Sequence, residues 1–324
     1  MRIIPPALTA GGRWRRVLGA ARTFAVGLAF NRGGRRMVLR RAFFDLAHYA
    51  TPVVAVQSNG LTYYLNTGDH VVSRETFVAG DFEEAVMAGA LAVLERYGHK
   101  LRGRTFVDIG ANLGTSTIPA VARFGASHAL AVEPEPTNYE LLRCNVLANG
   151  LEGRVTTVRA AISDTTGTGQ LGLSTWNSGD HRVWVRNERA LDVEPLGRSM
   201  IDIDLWRLDD LLVHLDIDWS SVGVVWVDCQ GHEGYVLKGA PRLTASAVPV
   251  ISEYWPYGLR LGGDLELFHS IVAECYDTVI DARDLLAEGH TSGVPASEVG
   301  TLETLYPDRS FTDLILLKDR PASS

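Results

Sequence analysis

The stretch Thr105-Phe-Val-Asp-Ile-Gly-Ala-Asn-Leu-Gly-Thr-Ser-Thr117 decides the fold. Thr105–Ile109 has the length and apolar content of a buried strand, and Gly110 and Gly114 punctuate a turn before a helix starts. Asp108 stands at the tip of that strand. The spacing Asp108, Gly110, Asn112, Gly114 is not the GxGxxG of dinucleotide-binding turns. Further strand candidates follow at Ala129–Val132, Val155–Ala161, Val222–Val227, Val248–Glu253, Thr278–Ile280 and Leu314–Leu317, with helical stretches at about 115–123, 136–149 and 233–245. This alternation predicts an α/β fold, a doubly wound and mainly parallel seven-stranded sheet with helices on both faces. Residues 163–200 break the pattern and read as an inserted hairpin or loop above the sheet.

Upstream, Ser58-Asn59-Gly60 lies between the apolar runs Val53–Val56 and Leu61–Leu65, a strong hairpin signal. Asp81 and Glu84 resemble a capping box opening a helix through about Tyr97. Residues 1–50 hold ten arginines against one acid, Asp45, giving that segment +9 within a chain of formal charge −7 and leaving −16 for the rest. Apolar residues Trp14, Val17, Leu18, Ala21 and Phe24 recur there at helical spacing. The expected organisation is a basic arm at 1–50, a hairpin and helix at 51–98, and the main domain at 99–324. A solvated lead-in helix and a dock for an anionic membrane surface or acidic partner are both open readings of the arm. The acidic balance argues against a general nucleic-acid binder. The apolar run Val17–Phe30 is interrupted by Arg22 and is too short to cross a bilayer. Three widely spaced cysteines, Cys144, Cys229 and Cys275, make neither a disulfide framework nor a zinc pattern and fit a reducing cytoplasm.

In a doubly wound sheet, ligands sit beyond the carboxyl ends of the strands at the switch point. Asp108, Gly110, Asn112 and Gly114 follow the first core strand, and Glu133 ends the second. A carboxylate at that second position can accept both hydroxyls of a ribose. A dinucleotide also uses such an acid, but Asp108 would oppose a diphosphate near Gly110. The same charge suits an amino-acid moiety and a sulfonium, which favours S-adenosylmethionine over NAD.

VDIGANLG, AVEPEPTNYELLRCNVLANG, RAAISD, VDCQGHEGYVLKGA and VPVISEYWP occur in this order, and together they resemble the FkbM family of S-adenosylmethionine-dependent methyltransferases over roughly residues 55–320. The resemblance implies a Rossmann-like class I methyltransferase acting on hydroxyls of sugars, polyketides or similar metabolites. It implies that Asp108, Gly110, Asn112 and Gly114 hold the amino-acid part of the cofactor and Glu133 the ribose. Ser163 and Asp164 would lie near the adenine, and Asp228 would face the methionine end or the acceptor. Phe82 and Glu83 match the family's aromatic–Glu pair. Where the family has Asp-x-Glu-Gly-x-Glu, this chain has Asp228-Cys-Gln230-Gly-His232-Glu233, so Gln230 replaces an acid.

A sugar or alkyl hydroxyl gains from a base as the new bond forms. His232 is the expected base, beside Asp228, with His181 the alternative. A divalent ion on Asp228, Glu233 and Glu253 is the less favoured route. No Asn-Pro-Pro-Tyr sequence follows the fourth strand, which disfavours methylation of a base or amide nitrogen. Trp176, Trp184, Tyr254, Trp255 and Tyr257 are candidates to stack on a saccharide acceptor, with core packing as the alternative. A non-catalytic subunit of the same fold, docking through its Arg-rich arm, is the competing function.

Overall fold

Residues 32–80, 82–184, 198–282 and 293–318 are described in a computed structural model. Most of the basic arm, with its periodic apolar positions from Trp14 to Phe24, lies outside the described residues, as does Asp81 of the expected capping box. The chain divides into two compact units, Met1–Phe82 and Glu83–Ser324.

In the first unit, helix α1 (Arg32–Ala47) precedes strands β1 (Val53–Ser58) and β2 (Leu61–Asn66) and helix α2 (Val72–Ala79). Ser58 pairs with Leu61, and the two residues between them take positive φ, 51° at Asn59 and 79° at Gly60. That is the loop an Asn-Gly pair favours, because its twist matches the strands it joins. Phe44, Leu65 and Phe77 are buried. Arg40 Nε donates to the Phe77 carbonyl at 2.6 Å, with its guanidinium 5.1 Å from that ring's centroid.

The second unit opens with helix α3 (Glu84–Arg96), whose N-cap is Glu83 at φ 71° with no side-chain cap bond. Its main sheet runs β13-β12-β14-β11-β10-β3-β4-β5. β3 (Thr105–Ile109), β4 (His128–Val132), β5 (Val155–Val158), β10 (Val222–Val227) and β11 (Val250–Tyr254) are mutually parallel. β14 (Thr312–Leu317) is antiparallel to β11 and to β12 (Thr278–Asp281). The seven expected strands are all present, and a two-residue edge strand, β13 (Val294–Pro295), adds an eighth. β3, β10, β11 and β14 are buried along their whole length. Unbroken apolar runs are what a strand covered on both faces requires.

The run expected as Val155–Ala161 splits in two. After β5, Ala161–Ile162 (β6) leaves the main sheet and pairs with β9 (Ser199–Trp206). The insertion is therefore a second sheet of order β6-β9-β7-β8, with β7 (Gly167–Leu173) and β8 (Arg182–Trp184). Its own small core is Ala161, Leu171 and Ile203.

β3 lies between β4, which follows it, and β10, which the chain reaches only after the insertion. The switch point is thus at the carboxyl end of β3. Gly110 occupies it at φ 88°, and a Cβ there would sit 1.9 Å from the Asp228 carbonyl oxygen. Gly110→Ala is expected to destabilise the fold by about 3 kcal/mol or more, through steric overlap and an unfavourable backbone angle. Urea denaturation measures this directly.

Candidate active site

Glu133, 5% exposed, organises one side of the switch point. Its Oε2 accepts the Asn112 N–H and its Oε1 the Glu135 N–H, both at 2.9 Å. The Asn138 side chain also donates to this carboxyl, which keeps acceptor capacity beyond these groups. Burial pushes Glu133 up to about 8, against the opposing effect of those backbone bonds. Asp108 is buried beside it, with Oδ2 accepting the Thr117 hydroxyl. Burial pushes Asp108 to about 7, and the Asp228 charge adds to the shift.

Asn112, at φ 49°, donates through Nδ2 to the Ser178 carbonyl at 3.2 Å, and Asn138 Nδ2 donates to the same oxygen at 2.9 Å. Residues 174–181, between β7 and β8, are thereby tied to the cofactor turn. Asn112 Oδ1 is buried and has no hydrogen-bond partner among the described residues. An orphaned acceptor on the turn that follows Asp108 fits an ammonium group, and the remaining acceptor capacity of Glu133 fits a ribose. The residues present therefore suit S-adenosylmethionine. His181 Nδ1 accepts the Ser174 N–H at 3.0 Å, which gives that ring a place in the loop's own turn.

The acids of the fourth and fifth strands form the other side. Half-buried Asp228 follows β10, and Glu253 lies in β11. Glu233 starts helix α7 (Glu233–Lys238) and accepts the Cys229 N–H at 2.8 Å and the Gly231 N–H at 3.0 Å. Side-chain oxygens of Asp228, Glu233 and Glu253 all lie within 4.8 Å of one another. Between two of them sits Gln230, whose Nε2 donates to Asp228 Oδ1 at 2.7 Å and to Glu253 Oε2 at 2.9 Å. Burial, then the charges of Asp228 and Glu233, hold Glu253 well above the usual carboxylate range. Burial raises Glu233 to about 7. Burial also raises the Cys229 thiol, which removes it as a nucleophile. The turn is strained, with Gln230 at φ 55° and Gly231 at φ 95°. Helix α9 (Pro256–Gly262) abuts it, since a Cβ on Gly231 would be 2.4 Å from the Gly258 carbonyl oxygen.

His232 is placed differently from its sequence neighbours. Its ring is 2% exposed, Nε2 is 3.0 Å from Ser163 Oγ, and it stacks on Tyr235 at 4.8 Å. Burial lowers it to about 4, so the ring is neutral and weakly basic. Asp164 accepts Lys238 Nζ at 2.8 Å. The expected adenine pair, Ser163 and Asp164, is thus tied to helix α7 by two contacts. Of the aromatic candidates, Tyr254 is core, fully buried with its hydroxyl 2.8 Å from His269 Nε2. Trp255 is 9% exposed, its indole N–H has no partner among the described residues, and the Arg182 guanidinium lies 4.7 Å from its ring centroid. Tyr257 sits 5.6 Å from Trp255, and Trp176 is exposed on the loop that carries Ser178.

Sequence reasoning missed Thr117, Asn138, Ser178 and the bridging role of Gln230. Asn138 carried a usable signal: it lies in the first turn of helix α5 (Pro136–Ala148), where its own N–H is capped by Glu135 and its side chain is free to reach outward. Nothing in the sequence pointed to the Ser178 carbonyl.

A parallel sheet with an acid ending its second strand, an orphaned amide oxygen at the glycine turn and an acidic cluster across the switch point define a class I methyltransferase. The profile of the methyltransferase FkbM domain matches residues 108–269, half of the chain. The chain belongs to the FkbM family of S-adenosylmethionine-dependent methyltransferases. It is 28% identical over 175 residues to methyltransferase sdnD of Sordaria araneosa, spanning 48% of this chain and 68% of that protein. Similar solved structures include methyltransferase FkbM from Methylobacillus flagellatus KT, with 16% identity and a TM-score of 0.40 over 94% of this chain and 60% of that one. The O-methyltransferase from Bacillus cereus in complex with SAH is 13% identical with a TM-score of 0.40, over 74% of this chain and 84% of that one.

Proposed function

We propose that this protein transfers a methyl group from S-adenosylmethionine to a hydroxyl of a small-molecule acceptor, a saccharide or specialised metabolite, with Asp228 as the base. The observation that carries this reading is the environment of Asp228. It is half-buried at the switch point, takes the Gln230 amide as a donor, and neighbours two carboxyls, Glu233 and Glu253, that burial biases toward the protonated form. All three carboxyls receive hydrogen-bond donors, and Asp228 is the one that is not fully buried, which suits it to meet an acceptor.

The cofactor supplies an electrophilic methyl on a sulfonium. The protein's part is alignment and proton transfer. Glu133 would hold the ribose hydroxyls, and Asp108 with Asn112 Oδ1 the amino-acid end. Asp228 would take the acceptor's proton as the C–O bond forms and the methyl C–S bond breaks, the thioether S-adenosylhomocysteine being the leaving group. Loop 174–181, pinned through Ser178, covers the turn and limits water. Trp176, exposed on loop 174–181, offers a face to a sugar ring, whereas the Trp255 ring is covered by Arg182. In this reading His232 ties the end of β6 to helix α7 and is not the base, because its Nε2 is engaged by Ser163 and its basicity is low. Methyl transfer from labelled S-adenosylmethionine to a panel of sugars, glycosides and macrolides tests the reaction. Transfer to none, with cofactor bound, would count for a non-catalytic subunit.

The Gln230 amide occupies the space between Asp228 and Glu253 in which a shared cation would sit, so the reaction is expected to survive EDTA. Gln230→Glu adds a fourth carboxyl to the cluster, and a proton is then shared where the amide stood. The acid limb of the kcat/KM profile should move up by about one pH unit. An unmoved limb would reduce Gln230 to a spacer.

A further inference from the structure

Helix α1 carries an exposed apolar strip. Leu39 is 48% exposed, Phe43 60% and Leu46 51%, at spacings of four and three that set them on one helix face. Ala42 and Ala47, on either side of the strip, and Phe44, on the far side, are buried. Arg35 and Arg36, exposed, extend the strip toward the start of the helix. Phe43 stacks on Phe77 at 5.8 Å, so the strip is held rigidly on the first unit.

We propose that this strip is a docking surface for an anionic lipid bilayer, on which α1 lies parallel to the membrane plane. Among the described residues no helix is long and apolar enough to cross a membrane. Three bulky exposed side chains on one helix face can insert among acyl chains, as the apolar face of an interfacial helix does. The charge has the right sign. The thirty-one residues before α1 carry five arginines and no acid. Like charge opposes that basic segment settling on a strip that begins with Arg35 and Arg36. Both are instead attracted to an anionic surface.

The test is co-sedimentation of the full chain with vesicles of phosphatidylcholine alone or with about 30 mol% phosphatidylglycerol, a typical anionic content. Binding to the anionic vesicles is expected to be at least about tenfold stronger and to fall at high salt. Leu46→Glu and Leu39→Glu should each weaken it about tenfold, by placing a charge in the buried face. Both positions are half exposed, and unchanged circular dichroism would establish that the variants fold. No binding to anionic vesicles overturns the proposal. Equal binding by both variants also overturns it, because the arginines alone would then be the anchor. So does a concentration-dependent dimer lost in Leu46→Glu without lipid binding, since a second copy would then cover the strip.

Discussion

Asp228→Asn is expected to lower kcat by about 10²–10³-fold, the range for losing a positioned general base. Affinity for S-adenosylhomocysteine should change by no more than about threefold, because the ribose and amino-acid contacts are elsewhere. The substitution keeps shape, and the Asn oxygen still accepts the Gln230 amide, which donates to Asp228 at 2.7 Å in the parent. What is lost is the capacity to take a proton. Single-turnover methyl transfer separates that loss from binding or release. An undiminished rate would remove Asp228 from the chemistry. His232→Gln is the paired control: its ring is tied to Ser163, so the acid limb of the profile should stay in place even if stability falls.

Glu133→Gln should weaken S-adenosylhomocysteine binding by about a hundredfold. Both carboxylate oxygens of Glu133 take backbone N–H groups, from Asn112 and Glu135. A Gln amide nitrogen would face one of them, donor against donor. An unpaired buried N–H costs about 1–3 kcal/mol, and a ribose hydroxyl loses its acceptor as well. The same residue sets a pH dependence. In the free protein burial holds Glu133 up at about 8, so below that pH it is mostly protonated. Accepting two ribose hydroxyls favours the ionised form, so binding expels the proton. Affinity should therefore rise with pH between about 6.5 and 8, by at most about tenfold per unit for one proton released. Asp108, pushed to about 7, contributes with the same sign, because a cationic ligand end favours its ionised form. Glu133→Gln should flatten most of the slope. Calorimetric titration at several pH values reads both effects. Unchanged affinity and slope in the variant would displace Glu133 from the ribose site.

The seven main strands were legible because buried parallel strands announce themselves as short apolar runs between turn residues. The tight turn after β3 was legible for a related reason: Gly110 and Gly114 are residues that accept the positive φ it requires. The limits are as physical. Val155–Ala161 reads as one run, yet the strand ends at Val158 and the chain enters another sheet at Ala161. Pairing partners decide that split, and they are remote in sequence. The contacts of His232 were not legible, because nearness in sequence to Asp228 says little across a strained turn. Positive φ at Gln230 and Gly231 reverses the chain and sends the imidazole toward Ser163. Gln230 read as a lost acid, whereas in space it is a gained donor between two acids.

The contact between Gly110 and the Asp228 carbonyl has a consequence for how such a pocket can diversify. With no room for even a methyl group between them, the carboxyl ends of β3 and β10 form a single wall, and in the proposed reaction moving one side displaces the other. Changes in what is methylated therefore have to be written at the rim, in loop 174–181 and along helix α9, where side chains can vary without disturbing the line of transfer.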